Sequence, residues 1–134
     1  MERVYIFDTT LRDGGQTKGV DFSFADKIAI SEALDDLGID YIEGGWPGAN
    51  PTDDKLFGSP PKLKVSNFVA FGMTRRPNTS AANDPGLNAV LSGKSDSVCL
   101  VGKTWDFHVN KALNITLEEN IDMIITGSDW YEDV

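Results

Sequence analysis

The chain is short of the residues that disulfides, histidine-rich metal sites and polyanion binding require. Its 134 residues include one cysteine and one histidine, and the formal net charge is −9. The single cysteine, Cys99, excludes an internal disulfide and fits a reducing compartment. We expect it to be a small buried core residue. The acidic excess argues against binding to nucleic acid or to an anionic membrane.

Long hydrophobic runs are also missing. No apolar stretch approaches the roughly 20 residues of a transmembrane helix, and the N-terminus has no basic-then-apolar signal pattern. The composition, 40% hydrophobic and 25% charged, is that of a globular protein. We therefore expect one cytoplasmic domain with a real core.

Runs rich in β-branched and aromatic residues alternate with helical patterns four times along the chain. The predicted strands are residues 3–7, 40–43, 65–71 and 97–101. Ser23 and Asp26 predict a capping box for the first helix, and Gly38 its end. The helix is expected to bury an apolar stripe that includes Leu37. The later predicted helices are a short one over 53–57 and one over 85–91 that is capped by Asp84. A short helical piece around His108 follows. The last predicted helix is capped by Thr116 and ends near Thr126, before a frayed tail, 128–134.

This order predicts an α/β fold built on a parallel sheet, because the strands are continuous apolar runs rather than alternating ones. Three of the four predicted strands are followed by polar or glycine-rich loops, which is the layout of a TIM (β/α)8 barrel. A doubly wound sheet is less favoured, because no phosphate-binding glycine fingerprint follows the first strand. A whole barrel needs about 250 residues, so the chain accounts for half of one. Open sheet edges would favour a homodimer.

One stretch concentrates polar chemistry at the end of the first strand. Residues 8–16 read Asp-Thr-Thr-Leu-Arg-Asp-Gly-Gly-Gln. Asp13 can offer carboxylate oxygens to a hard divalent cation, and Arg12 a guanidinium to developing negative charge. Neighbouring side chains of an extended segment point apart, so both can face one substrate only if the chain bends. We expect Gly14-Gly15 to make that bend cheap.

This stretch resembles the signature of the enzyme superfamily of isopropylmalate, homocitrate and citramalate synthases and hydroxymethylglutaryl-CoA lyase. The similarity continues at residues 41–53, Tyr-Ile-Glu-Gly-Gly-Trp-Pro-Gly-Ala-Asn-Pro-Thr-Asp, which look like the citramalate synthase version of the second strand exit. Residues 71–76 and 103–109 are similar to the same branch. The resemblance implies that residues 1–134 are the N-terminal half of the catalytic barrel, with strands 1–4 and their helices.

The resemblance also implies a reaction and a ligand set. Such enzymes condense the methyl carbon of acetyl-CoA with the keto carbon of a 2-oxo acid and then hydrolyse the thioester. The position of Asp13 would ligate Mg2+, Mn2+ or Zn2+, and Arg12 would face the 2-oxo acid oxygens. The other metal ligands of the family are a His-x-His pair, and this sequence contains only His108. We therefore expect these residues to hold part of a metal site.

Other polar residues after the predicted strands are candidates with weaker support. Glu43 ends a buried strand, so it either contacts the substrate or is a satisfied carboxylate beside Arg12. Gln16 and Thr74 could bind a substrate carboxylate. His108 follows the fourth strand, where either a site contact or a structural hydrogen bond would explain it. Asp8 is expected to bind loop amides.

The resulting hypothesis is a fragment of an acyltransferase of isoleucine or leucine biosynthesis that acts on acetyl-CoA and, most simply, pyruvate. Isopropylmalate synthase, homocitrate synthase and a lyase of the hydroxymethylglutaryl-CoA type are alternatives within the same superfamily. An alternative of another class is a catalytically silent half-barrel that associates with itself. The 134 residues alone are expected to be inactive.

Overall fold

Four parallel strands form one sheet in the order β1-β2-β3-β4 in a computed structural model that describes residues 2–132. The strands are β1 Phe7–Asp8, β2 Tyr41–Gly45, β3 Asn67–Met73 and β4 Ser97–Val101. The helices are α1 Phe24–Asp36, α2 Pro51–Gly58, α3 Pro85–Ser92, α4 Asp106–His108 and α5 Leu117–Glu132; a π-helical turn, Val109–Leu113, follows α4, and single 3-10 turns lie at Gly14–Gln16 and Ala81–Asn83. Successive strands pair as neighbours, as they do around a (β/α)8 barrel, so the expected half-barrel of four βα units is confirmed.

The helices begin where the sequence places capping residues. Ser23 and Asp26 form both hydrogen bonds of the capping box at the start of α1. Asp84 accepts hydrogen bonds from two amides in the first turn of α3, where Pro85 occupies the first helical position. Gly38 has φ +81°, the left-handed conformation that ends α1. These three predictions are confirmed.

The core lies between the sheet and its helices. Its buried centre consists of Leu56, Phe57, Phe68, Ala70 and Val90. Side chains alternate along β3, so Val69 and Phe71 lie on the opposite face, which is the inner face of the half-barrel. The register pairs Glu43 with Val69 and Phe71 with Cys99. These residues therefore meet on the inner face.

Helix α1 buries a polar stripe beside the expected apolar one, of which Phe24 and Ile28 pack against the core. Its buried residues, Lys27, Ser31 and Asp35, are spaced four apart, whereas Leu37 is 78% exposed. Asp35 accepts hydrogen bonds from the amides of residues 64–66 just before β3. Burial opposes its charge, but these amides outweigh that effect and hold the pKa of Asp35 well below its usual range. Asp35 therefore fixes the approach to β3.

The ends of the chain differ from expectation. Residues 3–7 were predicted as a strand, but β1 begins only at Phe7, because Asp40 binds the Ile6 amide and the Arg3 side chain in place of a continued ladder. Helix α5 continues to Glu132, so the tail is helical over 128–132 where fraying was predicted. The rest of that predicted tail, 133–134, lies outside the described residues. Within residues 2–132, no helix combines the length and apolar character needed to cross a membrane.

Candidate functional site

The loop after β1 is a tight turn organised on one carbonyl. The oxygen of Thr9 accepts hydrogen bonds from the amides of Arg12, Asp13 and Gly14. Asp8 accepts from both the amide and the hydroxyl of Thr10, at 2.9 and 3.0 Å, so its expected structural role is confirmed. This turn brings the side chains of Arg12 and Asp13 together, although the two residues are consecutive in the chain.

The two glycines of this loop do not make the bend. Neither Gly14 nor Gly15 has a positive φ. A Cβ added to Gly14 would lie 3.8 Å from its nearest neighbours, and one added to Gly15 would lie 3.5 Å from Phe22. Both are ordinary van der Waals distances, so the expectation that these glycines permit the bend is wrong. The turn around the Thr9 carbonyl supplies it.

Arg12 links the loop after β1 to strand β2. Its Nε donates to the Glu43 carboxylate at 2.7 Å, and its Nη1 lies 3.2 Å from Asp13. Glu43 is 1% exposed in the middle of β2, which continues to Gly45 and does not end at Glu43 as predicted, whereas the side chain of Asp13 is 63% exposed. Glu43 is therefore a buried carboxylate satisfied by Arg12. Nη2 of Arg12 makes no hydrogen bond within residues 2–132, and it remains available to an incoming oxygen.

Two aromatic side chains and one thiol lie next to the cluster of Arg12, Asp13 and Glu43. The Arg12 guanidinium lies 4.1 Å from the ring centroid of Phe71, a cation–π contact. Trp46 packs edge-on against the same ring, with centroids 5.3 Å apart. Cys99 lies beside Phe71 on β4 and is half-buried, not fully buried as predicted, because no fifth strand covers β4 among the described residues. Burial, and next the charge of Glu43, raise the pKa of its thiol.

A cavity of about 240 Å3 opens between the loops that follow β1 and β2. Arg12 and Gln16 line it from the first loop, and Trp46 from the second. Lys27 and Asp53 close it from the helix layer. The structure therefore brings Gln16 to the same cavity as Arg12.

Thr74 lies at a second cavity, of about 230 Å3, which shares Trp46 with the first. Thr74 is buried at the end of β3. The neighbouring Arg75 is a structural residue, since its guanidinium binds Thr126, Glu119 and Asp122 of α5. Arg12 and Thr74 therefore face different cavities.

His108 lies apart from both cavities. It is exposed in α4 and packs against the Trp105 ring, with centroids 4.6 Å apart. Its side chain forms no hydrogen bond or ion pair within residues 2–132. The structure thus joins Arg12, Asp13 and Glu43 by direct contacts, brings Gln16 to a cavity that Arg12 also lines, and leaves His108 outside that group.

The donor set fits one part of a divalent-cation site. Asp13 presents an exposed carboxylate at the mouth of the half-barrel, as a hard oxygen ligand should. In the part of the chain that is described, no three His, Cys, Asp or Glu side chains gather closely enough to hold a metal. Asp13 could therefore supply one carboxylate ligand to a divalent cation, and the described residues do not complete a site around it.

Two residues that sequence reasoning missed support the second loop. Lys27 and Asp53 form a buried ion pair, 2.6 Å between Nζ and Oδ1, beneath the end of β2. The available signal was the spacing of Lys27, Ser31 and Asp35, three polar residues on one helical face. A buried charged residue needs a partner, and Asp53 supplies one.

The parallel sheet and its helices define the first half of a (β/α)8 barrel, with the polar cluster at the carboxyl ends of the strands. Comparison with known proteins agrees. The HMGL-like family matches residues 3–127. The chain is 53% identical over 125 residues to (R)-citramalate synthase of Aquifex aeolicus, which covers 92% of this chain and 24% of that protein. It is 34% identical over 137 residues to 2-isopropylmalate synthase of Bradyrhizobium diazoefficiens, covering 99% and 26%.

The solved structures agree on the fold. HMG-CoA lyase of Bacillus subtilis superposes with a TM-score of 0.71 at 20% identity, covering 98% of this chain and 43% of that one. The chain therefore belongs to the HMGL-like family. It spans about a quarter of the length of the curated relatives that it matches.

Proposed function

We propose that residues 1–134 are the amino-terminal part of the catalytic barrel of a metal-dependent acyltransferase that condenses acetyl-CoA with a 2-oxo acid. Pyruvate is the proposed acceptor and citramalate the product, in branched-chain amino-acid synthesis in the cytoplasm. The relatives named (R)-citramalate synthase are 45–53% identical, and those named 2-isopropylmalate synthase 32–34%. This difference favours pyruvate over larger 2-oxo acids.

The observation that carries the proposal is the Arg12 guanidinium, fixed between Glu43 and Asp13 above Phe71. Condensation transfers a proton from the acetyl methyl group to a general base, the methyl carbon forms a bond to the keto carbon, and the π electrons of the C=O bond move to its oxygen, which becomes an alkoxide. A preorganised guanidinium lowers the free energy of that charge, and its free Nη2 can donate to it. Glu43 acts through Arg12, because it is buried against Nε and holds the guanidinium plane.

Charge within the cluster also suits this chemistry. One cation and two anions give Arg12, Glu43 and Asp13 a formal charge of −1. A divalent cation on Asp13 would make the site net positive, which favours an anionic 2-oxo acid, and would polarise the keto group when bound. Gln16 is proposed to orient the substrate carboxylate, and Thr74 to contact another part of the substrate from the adjoining cavity that shares Trp46; the arrangement of residues 2–132 does not support the predicted contact of His108.

The test is release of the CoA thiol by the full-length protein with acetyl-CoA, Mg2+ or Mn2+, and a series of 2-oxo acids. Arg12→Ala should lower turnover about 10²–10³-fold, the usual effect of removing such a charge donor. Arg3→Ala is the matched control, because Arg3 forms an ion pair with Asp40 near the start of β1. Turnover by Arg12→Ala within threefold of the control would refute the role of Arg12.

The second candidate is a silent half-barrel that forms a homodimer. Four apolar residues beside the unpaired edge of β1 favour it, since each is 43% exposed or more: Val4, Tyr5, Ile6 and Phe7. We expect the 134-residue chain to be dimeric by light scattering and to show no turnover. Turnover that Asp13→Asn abolishes would exclude the silent alternative.

A further inference from the structure

The buried ion pair Lys27–Asp53 lies directly behind the candidate site. Lys27 is 6% exposed and Asp53 5%, so both charges have been removed from water. Well-packed apolar residues of similar volume would usually stabilise such a place as well or better. Stability alone therefore does not explain the pair.

The pair binds the backbone on both sides of Gly45. Lys27 Nζ donates to the Gly44 carbonyl at 2.9 Å. The second oxygen of Asp53 accepts from the Trp46 amide at 2.9 Å and from the Asn50 side chain at 3.0 Å. Each of these buried backbone groups would lose its partner if the pair were removed.

The contact is close enough to fix the path of the chain. A Cβ added to Gly45 would lie 2.6 Å from the Asp53 carboxylate. The pairing of β2 with β3 also shifts register between Glu43 and Gly45. The ladder is therefore irregular there, although Gly45 still pairs with Ala70, and the ion pair adds side-chain contacts that position the strand exit.

We propose that Lys27 and Asp53 are positioning residues, which hold the Glu43–Trp46 segment so that Glu43 keeps the Arg12 guanidinium in place. This inference rests on the proposed function for its catalytic consequence. Side chains alternate along β2, so Glu43 faces Arg12 on the inner face while Gly44 faces the helices. A shift of Gly44 consequently moves Glu43 and its guanidinium partner.

Kinetics of the full-length protein provide the first test. Lys27→Met and Asp53→Asn should lower kcat by about 10–100-fold with a smaller change in KM, since displacing a reacting group by about 1 Å costs this much. Asp53→Asn preserves shape and one of the two acceptor oxygens while it removes the charge, so it provides a second variant if Lys27→Met does not fold. Lys64→Met is the matched control: Lys64 pairs with Asp36 at 2.7 Å with both side chains exposed, and its kcat should not change.

Leu56→Ala separates positioning from stability. Leu56 is fully buried in α2, the helix that carries Asp53, but it does not contact the Gly44 carbonyl or the Trp46 amide through a hydrogen bond. It should lose stability and keep its kcat at 25 °C. The proposal is overturned if Lys27→Met and Asp53→Asn behave like Leu56→Ala.

The 134-residue chain provides a second readout that needs no turnover. Cys99 is its single thiol; burial, and next the charge of Glu43, raise its pKa, and the charge of Arg12 lowers it by less than Glu43 raises it. If Lys27→Met displaces Glu43, the pH midpoint of Cys99 alkylation should fall. Loss of the lysine charge by itself would raise it. An unchanged or higher midpoint overturns the proposal even if the acyltransferase assay fails, so the two ideas fail separately.

Discussion

Removing Arg12 should destabilise the protein more than removing the charge of Glu43, although the two side chains form a single contact. Glu43 is 1% exposed, and Arg12 is its charged partner, at 2.7 Å. The Arg12 side chain is 20% exposed and also contacts Asp13 and the Phe71 ring. Loss of Arg12 therefore leaves a carboxylate buried without a counter-charge, whereas loss of the Glu43 charge leaves a guanidinium that still has an anion, a ring and water.

The expected free-energy costs follow from these contacts. Arg12→Met should destabilise the chain by about 3–5 kcal/mol, the range found when a buried charge loses its partner. Glu43→Gln should cost only about 1–2 kcal/mol, because the amide oxygen still accepts from Nε and one charge-assisted hydrogen bond becomes a weaker one. The double variant should cost less than the sum, because no buried charge remains unpaired.

Urea unfolding followed by tryptophan fluorescence measures all four proteins of this cycle. Arg12→Met should unfold at a lower urea concentration than Glu43→Gln, and adding Glu43→Gln to Arg12→Met should restore part of the lost stability. Arg3→Met controls for removing an arginine from an ion pair whose arginine is 69% exposed, and it should cost under about 1 kcal/mol. Equal losses for Arg12→Met and Glu43→Gln, or additive losses in the double variant, would refute the argument.

Three further predictions concern single residues. Gly14→Ala should leave stability unchanged or raise it by up to about 1 kcal/mol, and Gly45→Ala should lower it by about 1–3 kcal/mol because its Cβ meets Asp53, both measured by urea unfolding. Asp84→Ala removes the acceptor of three backbone amides and should lower the thermal midpoint by the equivalent of about 2–4 kcal/mol, whereas a cost below about 1 kcal/mol would contradict the capping role. Burial, and next Asp84, raise the pKa of Tyr131 to about 12 from 10.0. Folding thus favours the neutral phenol, so stability should be full below pH 10 and decline towards pH 12; Tyr131→Phe should remove that decline in alkaline unfolding curves.

Local signals in the sequence were sufficient for much of the fold. The Ser23 capping box, the Asp84-Pro85 helix start and the strand at 97–101 all depend on short-range chemistry, and the structure reproduces each. Strand β1 was predicted to be too long. The Ile6 amide donates to the Asp40 side chain, which is distant in the sequence, and no local pattern indicates this contact. Leu37 was assigned to the buried face on hydrophobicity, although α1 buries a charged and polar stripe.

The candidate site was predictable only in part for the same reason. Arg12, Asp13 and Glu43 could be named because each ends or follows a predicted strand, where barrel sites lie. Phe71 was not singled out, since an aromatic residue in a buried strand usually belongs to the core. The roles of Lys27 and Asp53 depend on a contact between two helices, and the polar spacing within α1 could indicate a buried face but not the partner of Lys27.

The separation of these contacts along the chain has a consequence for folding. Lys27 and Asp53 are 26 residues apart, and Arg12 and Glu43 are 31 apart. All four belong to the first two βα units, so both contacts close short loops at low entropic cost. The Arg12–Glu43 contact can consequently form while the later strands are still being synthesised. Those strands would then pack against site residues that are already in place.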